Sequence, residues 1–128
     1  MAWVEIVTVA ALLQYIAFSW SVGIARARHG VAAPATSGHP VFERHFRVHQ
    51  NTVEQLVAFL PALWLFALRV DPEWAAGFGF LYLGGRLLFF FSYTRDPKTR
   101  SLGFAMSALP TLAMLLWVLF AAVRSLFG

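Results

Sequence analysis

Hydrophobic and polar positions fall in long blocks along this chain, with no short period that runs its whole length. The first block, from about Trp3 to Ala25, is apolar and carries no Lys or Arg. "ARARH" and the irregular stretch "HGVAAPATSGHP" follow it; Gly, Pro and Ser mark a loop. The next block, about Phe42 to Leu68, is divided. Its first half carries Glu43, Arg44, His45, Arg47, His49, Gln50, Asn51 and Glu54, and its second half is nearly pure hydrocarbon. No Pro or Gly comes before Pro61, so one helix can hold both halves. "RVDPEW" then reads as a tight turn, with Pro72 suited to a first helical turn. "TRDPKTR" reads as a third loop. The pattern predicts four helices, over about residues 3–25, 42–68, 73–93 and 102–123. Pro110 falls inside the last, which a membrane helix tolerates with a kink.

Composition turns these helices into membrane spans. Of the 128 residues, 59% are hydrophobic and 12% charged, against about 45–50% and about 25% in soluble domains. At roughly 20 residues per crossing the length allows one domain with four spans. The expected fold class is all-α integral membrane, a four-transmembrane-helix bundle over residues 1–128. The chain has no cysteine, which excludes a cysteine nucleophile, a thiolate metal site and a disulfide. Any thiol chemistry must use a thiol that a substrate brings.

The net charge of +4 comes from basic residues at helix ends and in loops, not from a face suited to nucleic acid. Arg26, Arg28, Arg44 and Arg47 surround the first loop, and Arg95, Lys98 and Arg100 the third. The second loop has only Arg69. The positive-inside rule therefore puts loops one and three in the cytoplasm and both termini on the opposite side. A signal peptide has its basic residues before the apolar core. Here they come after it, so the first block reads as a retained span.

The divided helix carries the chemistry. Arg47, Asn51 and Glu54 are spaced i, i+4, i+7 and share one helical face. In the third helix, Arg86, Phe89, Phe90 and Tyr93 repeat that spacing, with Arg86 about two turns inside. An arginine at membrane depth costs at least ~2.5–3.5 kcal/mol. Simple neutralisation of Arg86 by Glu54 is the structural alternative, but one ion pair leaves Arg47, His49, Gln50, Asn51 and Tyr93 without partners. A water-accessible ligand site at the cytoplasmic end accommodates more of them. Guanidinium groups at Arg26, Arg47, Arg86 and Arg100 suit carboxylates or other anions. Glu54 suits an ammonium group, and Gln50 and Asn51 suit peptide amides. Glutathione has that set of groups. His45 and His49, at i and i+4, lack a third ligand for zinc, and no metal is expected.

At these residues the chain resembles the MAPEG family, the membrane-associated proteins in eicosanoid and glutathione metabolism. "FERHFRVHQNTVE" fits E-R-x-x-R-x-H/Q-x-N-x-x-E. "YLGGRLLFFFSYTRDPKTR" fits Y-x-x-x-R, a tyrosine seven residues on, and a further arginine. The resemblance implies a homotrimer that binds glutathione between neighbouring subunits near the cytoplasmic side. Arg47, Asn51, Glu54, Arg86 and Tyr93 would hold the tripeptide. Arg26 and Gln50 would reach it from the neighbouring subunit, and His49 matches a histidine of some members. Arg100 matches the arginine that faces the glutathione sulfur in the leukotriene-forming branch. The implied function is a glutathione transferase acting on apolar electrophiles, with peroxidase activity towards lipid hydroperoxides. The alternative is a non-enzymatic trimer that binds lipid. A bacterial inner membrane is the expected setting. The chain departs from the leukotriene-forming pattern at Gln55 and Phe89, where tyrosines are usual, and at Ala27. Thr52 replaces the aspartate of the prostaglandin-forming branch. A specialised eicosanoid activity is therefore not expected.

Overall fold

The computed structural model describes all 128 residues. Four helices follow one another: α1 (Ala2–His29), α2 (Pro40–Arg69), α3 (Pro72–Arg95) and α4 (Ser101–Phe127), with one 3-10 turn at Pro97–Thr99. All four are long and apolar enough to cross a membrane. Each outlasts its expected range by a few residues, and caps are visible at the end of α1 and the starts of α2 and α3. Gly30 takes a left-handed conformation (φ 67°), and the Val31 N–H closes on the Arg26 carbonyl at 3.0 Å. His39 Nδ1 accepts the Val41 N–H at 3.2 Å and starts α2 ahead of Pro40. Asp71 does the same for α3. The helix α4 continues through Pro110.

Helices of 24 to 30 residues rise ~36–45 Å at 1.5 Å per residue, beyond the ~30 Å of hydrocarbon. The surplus leaves room for polar structure at headgroup depth. The chain runs up and down, so the first and third connections share one end. There Arg44 donates to the last carbonyls of α3, at Thr94 (3.4 Å) and Arg95 (3.0 Å). At the other end Arg69 of α2 bonds the Ala121 carbonyl and the Ser125 hydroxyl of α4.

Packing uses one stripe per helix. The buried residues of α1 are Val4, Val7, Ala11, Phe18 and Ala25, and those of α4 are Gly103, Ser107, Pro110, Thr111 and Met114. Both sets keep near-helical spacing on one face. Outside the stripes lie exposed Leu12, Leu13, Ile16, Leu109, Leu112 and Leu116. Only 27 of 128 residues are buried, so most apolar side chains need a lipid or protein neighbour.

The small residues are of two kinds. A Cβ on Gly79 would lie 2.3 Å from Val7 Cγ1. One on Gly85 would lie 2.7 Å from the Met106 backbone, and one on Gly103 2.4 Å from Phe89 N. These three glycines set how closely α3 approaches α1 and α4. Gly77 and Gly84 face open space and do not.

Tryptophans suggest interface anchors, and Trp3, Trp20, Trp74 and Trp117 are exposed. Trp64 differs, because its indole N–H donates to Thr8 Oγ1 at 3.0 Å and joins α2 to α1. Trp64→Phe should lower stability by about 1 kcal/mol, read as a lower Tm in detergent. An unchanged Tm would show that the bond contributes nothing.

Candidate functional site

At the end shared by the first and third connections, α2, α3 and α4 enclose a cleft of about 780 Å³. One turn of α2 after another faces it, through Glu43, Phe46, Arg47, Gln50, Asn51 and Glu54. Phe89 and Tyr93 line it from α3, and Phe104 from α4. Arg100 contributes from the start of α4, and Thr36 and Ser37 from the first loop. The i, i+4, i+7 stripe of Arg47, Asn51 and Glu54 thus faces one space, as helical periodicity requires. Arg47, Glu54 and Arg100 are exposed, and Asn51 and Tyr93 are half-buried. The cleft therefore offers two cationic forks, two carboxylates, amides and a phenol within one water-accessible volume. Its size falls in the ~300–1,000 Å³ range of small-molecule sites.

Arg86 lies behind this surface and not in it. It is fully buried. Its Nη1 donates to Asn51 Oδ1 at 2.7 Å and Thr52 Oγ1 at 3.3 Å, and its Nη2 donates to Ser107 Oγ at 2.8 Å. The guanidinium also covers the Phe89 ring at 4.4 Å. None of these bonds goes to Glu54, so the Glu54–Arg86 neutralisation weighed from sequence is not how the charge is accommodated. Three neutral oxygens and a ring face accommodate it.

Six of the nine residues singled out from sequence, namely Arg47, Gln50, Asn51, Glu54, Tyr93 and Arg100, line the cleft of one chain. Three do not. Arg86 is the layer behind, as described. Arg26 turns to the first loop, donating to the carbonyls of Val31 (3.4 Å) and Ala35 (2.9 Å), and lies over the Phe42 ring at 4.7 Å. His49 points at α1 and stacks on Tyr15 at 4.8 Å. It lies two residues after Arg47, about 200° round the helix, so it cannot share that face. His45 likewise meets Ser21 of α1 at 3.2 Å.

Sequence reasoning missed the contribution of the first loop. Arg26 holds Ala35, and Glu43 Oε2 accepts the Gly38 N–H at 3.2 Å. Between these two ties Thr36 and Ser37 reach the cleft. It also missed Thr52 and Ser107 as partners of Arg86. Thr52 has a weak signal, as a hydroxyl residue next to Asn51 in a polar run. Ser107 has none beyond its small size.

The profile of the MAPEG family matches residues 4–120, nearly the whole chain. The chain belongs to the MAPEG family. With four membrane-length helices, it is an integral membrane protein. Among MAPEG relatives, an uncharacterized protein of Synechocystis is 40% identical over 126 residues, 98% of this chain and 92% of the relative. Microsomal glutathione S-transferase 2 of Mus musculus is 38% identical over 103 residues, 77% of this chain and 70% of the relative. Leukotriene C4 synthase of Cavia porcellus is 36% identical over 115 residues, 90% of this chain and 73% of the relative.

Proposed function

We propose that this protein is a membrane-bound glutathione transferase that activates the glutathione thiol for attack on apolar electrophiles. The observation that carries this function is one cleft that gathers Arg47, Asn51, Glu54, Tyr93 and Arg100 at the headgroup end of the bundle. Relatives named for glutathione S-transferase and leukotriene C4 synthase activity support it. Glutathione brings two carboxylates, an ammonium group and two amides. Arg47 provides a fork for a carboxylate, Glu54 a counter-charge for the ammonium, and Gln50, Asn51 and Tyr93 hydrogen bonds for the peptide.

Arg100 is left to act on the sulfur. A free thiol has a pKa near ~8.5 and is only a few per cent thiolate at neutral pH. A guanidinium beside it favours the anion. The thiol proton goes to solvent, the sulfur lone pair forms a bond to the electrophilic carbon, and the leaving group departs with its electron pair. With a lipid hydroperoxide the thiolate would instead attack the distal oxygen, releasing the lipid alcohol and a glutathione sulfenic acid; a second glutathione then yields the disulfide and water. Phe104, four residues beyond Arg100, lines the cleft and is 40% exposed, and would meet an apolar substrate that arrives from the lipid.

The native assembly belongs to the same proposal. A homotrimer would cover part of the exposed apolar stripes and close the open cleft, with Arg26 of each subunit supplied towards a neighbour's ligand. Loops one and three would face the cytoplasm, where the basic residues collect, and the membrane would be a bacterial inner membrane.

The test is made on purified protein in detergent or nanodiscs. Glutathione should raise the Tm, and turnover of a generic chlorinated aromatic electrophile should require it. Neither stabilisation nor turnover would sink the proposal. Lipid binding in their place would favour the non-enzymatic trimer, for which Gln55 and Phe89, in place of two tyrosines, are the supporting residues.

A further inference from the structure

We infer that Asn51 presents its NH2 donors to a ligand oxygen, because buried Arg86 fixes the orientation of its side-chain amide, and that Thr52 and Ser107 are positioning residues for this arrangement. The inference rests on glutathione being the ligand, as proposed above.

An asparagine side chain can present either end to a ligand: a carbonyl that accepts or an NH2 that donates. Here the choice is made by its neighbour. A guanidinium has five N–H donors and no acceptor. The Asn51 atom 2.7 Å from Arg86 Nη1 must therefore be Oδ1. A flipped amide would set N–H against N–H in a buried place, leaving both unpaired. With Oδ1 turned towards Arg86 behind it, the group presented to the cleft is the Nδ2 donor pair. Its partners are carboxylate or peptide carbonyl oxygens.

Arg86 is in turn held so that it cannot turn away. The Thr52 hydroxyl donates its proton to the Val48 carbonyl at 2.7 Å. The Ser107 hydroxyl lies 3.1 Å from the Gly103 carbonyl and 2.9 Å from that of Phe104, so its proton is also committed to backbone. Each hydroxyl then has only lone pairs to offer the guanidinium, and each receives one N–H from it. The order runs from helix carbonyls through two hydroxyls and one guanidinium to one amide. Both hydroxyl protons and three guanidinium protons in it have defined directions; the buried Arg86 Nε–H has no partner. Thr52 and Ser107 are 0% exposed, so neither touches a ligand in the cleft.

The experiment measures glutathione affinity and steady-state kinetics on the full-length protein in nanodiscs, with Asn51→Asp, Thr52→Val, Thr52→Ser and Ser107→Ala. Asn51→Asp keeps an acceptor for Arg86 and removes the donors. Its ligand-free Tm should match or exceed the parent's, while glutathione affinity should fall about 100-fold. Thr52→Val keeps the shape and loses the hydroxyl. It and Ser107→Ala should raise the glutathione KM about five- to tenfold with kcat at saturation unchanged within about twofold. Thr52→Ser should restore the parental KM. A purely structural role would move Tm without separating Val from Ser in KM. Asn51→Asp binding within about threefold of the parent, or equal KM for Thr52→Val and Thr52→Ser, overturns the inference while the transferase proposal stands. A parent protein that does not bind glutathione overturns both. If Ser107→Ala does not fold, the Thr52 pair decides.

Discussion

Arg100→Ala should lower glutathione-dependent kcat at pH 7 about tenfold or more, while glutathione affinity stays within about threefold. The expectation comes from how the cationic side chains are used. Arg44 and Arg86 are committed to oxygens of the protein itself, and Arg26 bonds the first loop within its own chain. Arg100 is exposed and lines the cleft beside Tyr93 and Phe104. Lowering a thiol pKa from ~8.5 by about two units requires roughly 2.7 kcal/mol and raises the thiolate fraction at pH 7 about 20-fold. A stabilised thiolate is a weaker nucleophile, which reduces that gain; a guanidinium that also aims the sulfur adds to it. The sign of the pH dependence follows. In the parent the thiolate is formed above about pH 6.5, so the rate levels off there. In Arg100→Ala the rate should keep rising towards pH 8.5, and the gap between the two should narrow as it does. Arg100→Lys should recover much of the activity, because the charge remains. A parental rate for Arg100→Ala at pH 7 would remove Arg100 from the chemistry and leave the cleft as a binding site alone.

The second large effect is on stability. Gly103→Ala should cost about 3 kcal/mol or more, seen as a large fall in Tm and loss of the glutathione response. The added methyl would sit 2.4 Å from Phe89 N and 2.6 Å from Phe89 Cα, both backbone atoms of α3. Backbone cannot rotate away, so α3 and α4 must separate, and overpacking of that kind costs ~1–3 kcal/mol or more. Gly103 lies one turn from Ser107, and Phe89 three residues from Arg86. The separation therefore pulls Ser107 from Arg86 and loosens Asn51. Gly84→Ala is the control. Its methyl meets nothing within 4 Å, and alanine favours a helix over glycine by roughly 0.5–1 kcal/mol. Gly84→Ala should be neutral or slightly stabilising. Equal losses from both substitutions would show that glycine matters here through the backbone and not through the α3–α4 contact.

Four spans were legible because block hydrophobicity is a property of composition and needs no knowledge of neighbours. The stripe of Arg47, Asn51 and Glu54 was legible for a related reason, since residues at i, i+4 and i+7 face one way whatever lies opposite. What lies opposite was not. Ser107 meets Arg86 because α4 is rotated and pressed against α3 at Gly85 and Gly103, and that rotation is written in the contact of two helices, not in either one. Arg26 reads in the sequence only as a basic residue near a helix end. The bonds it makes within its own chain, to loop carbonyls at Val31 and Ala35, arise only when the chain turns back. His49 shared a motif with Arg47 and Asn51 but not a face. A motif fixes order along the chain, and a hundred degrees per residue separates its members in space.

The polar bonds of Arg86 also bear on how the protein is built into its membrane. All three of its side-chain acceptors belong to other helices: Asn51 and Thr52 to α2, and Ser107 to α4. The span α3 therefore carries a charge that its own sequence does not shelter. Only Val70 and Asp71 separate α2 from α3, so the first two acceptors arrive on the same hairpin as the arginine, and the third is made one helix later. During biogenesis α3 is a span that depends on the company it enters with. The short turn between α2 and α3 supplies that company before the chain is finished.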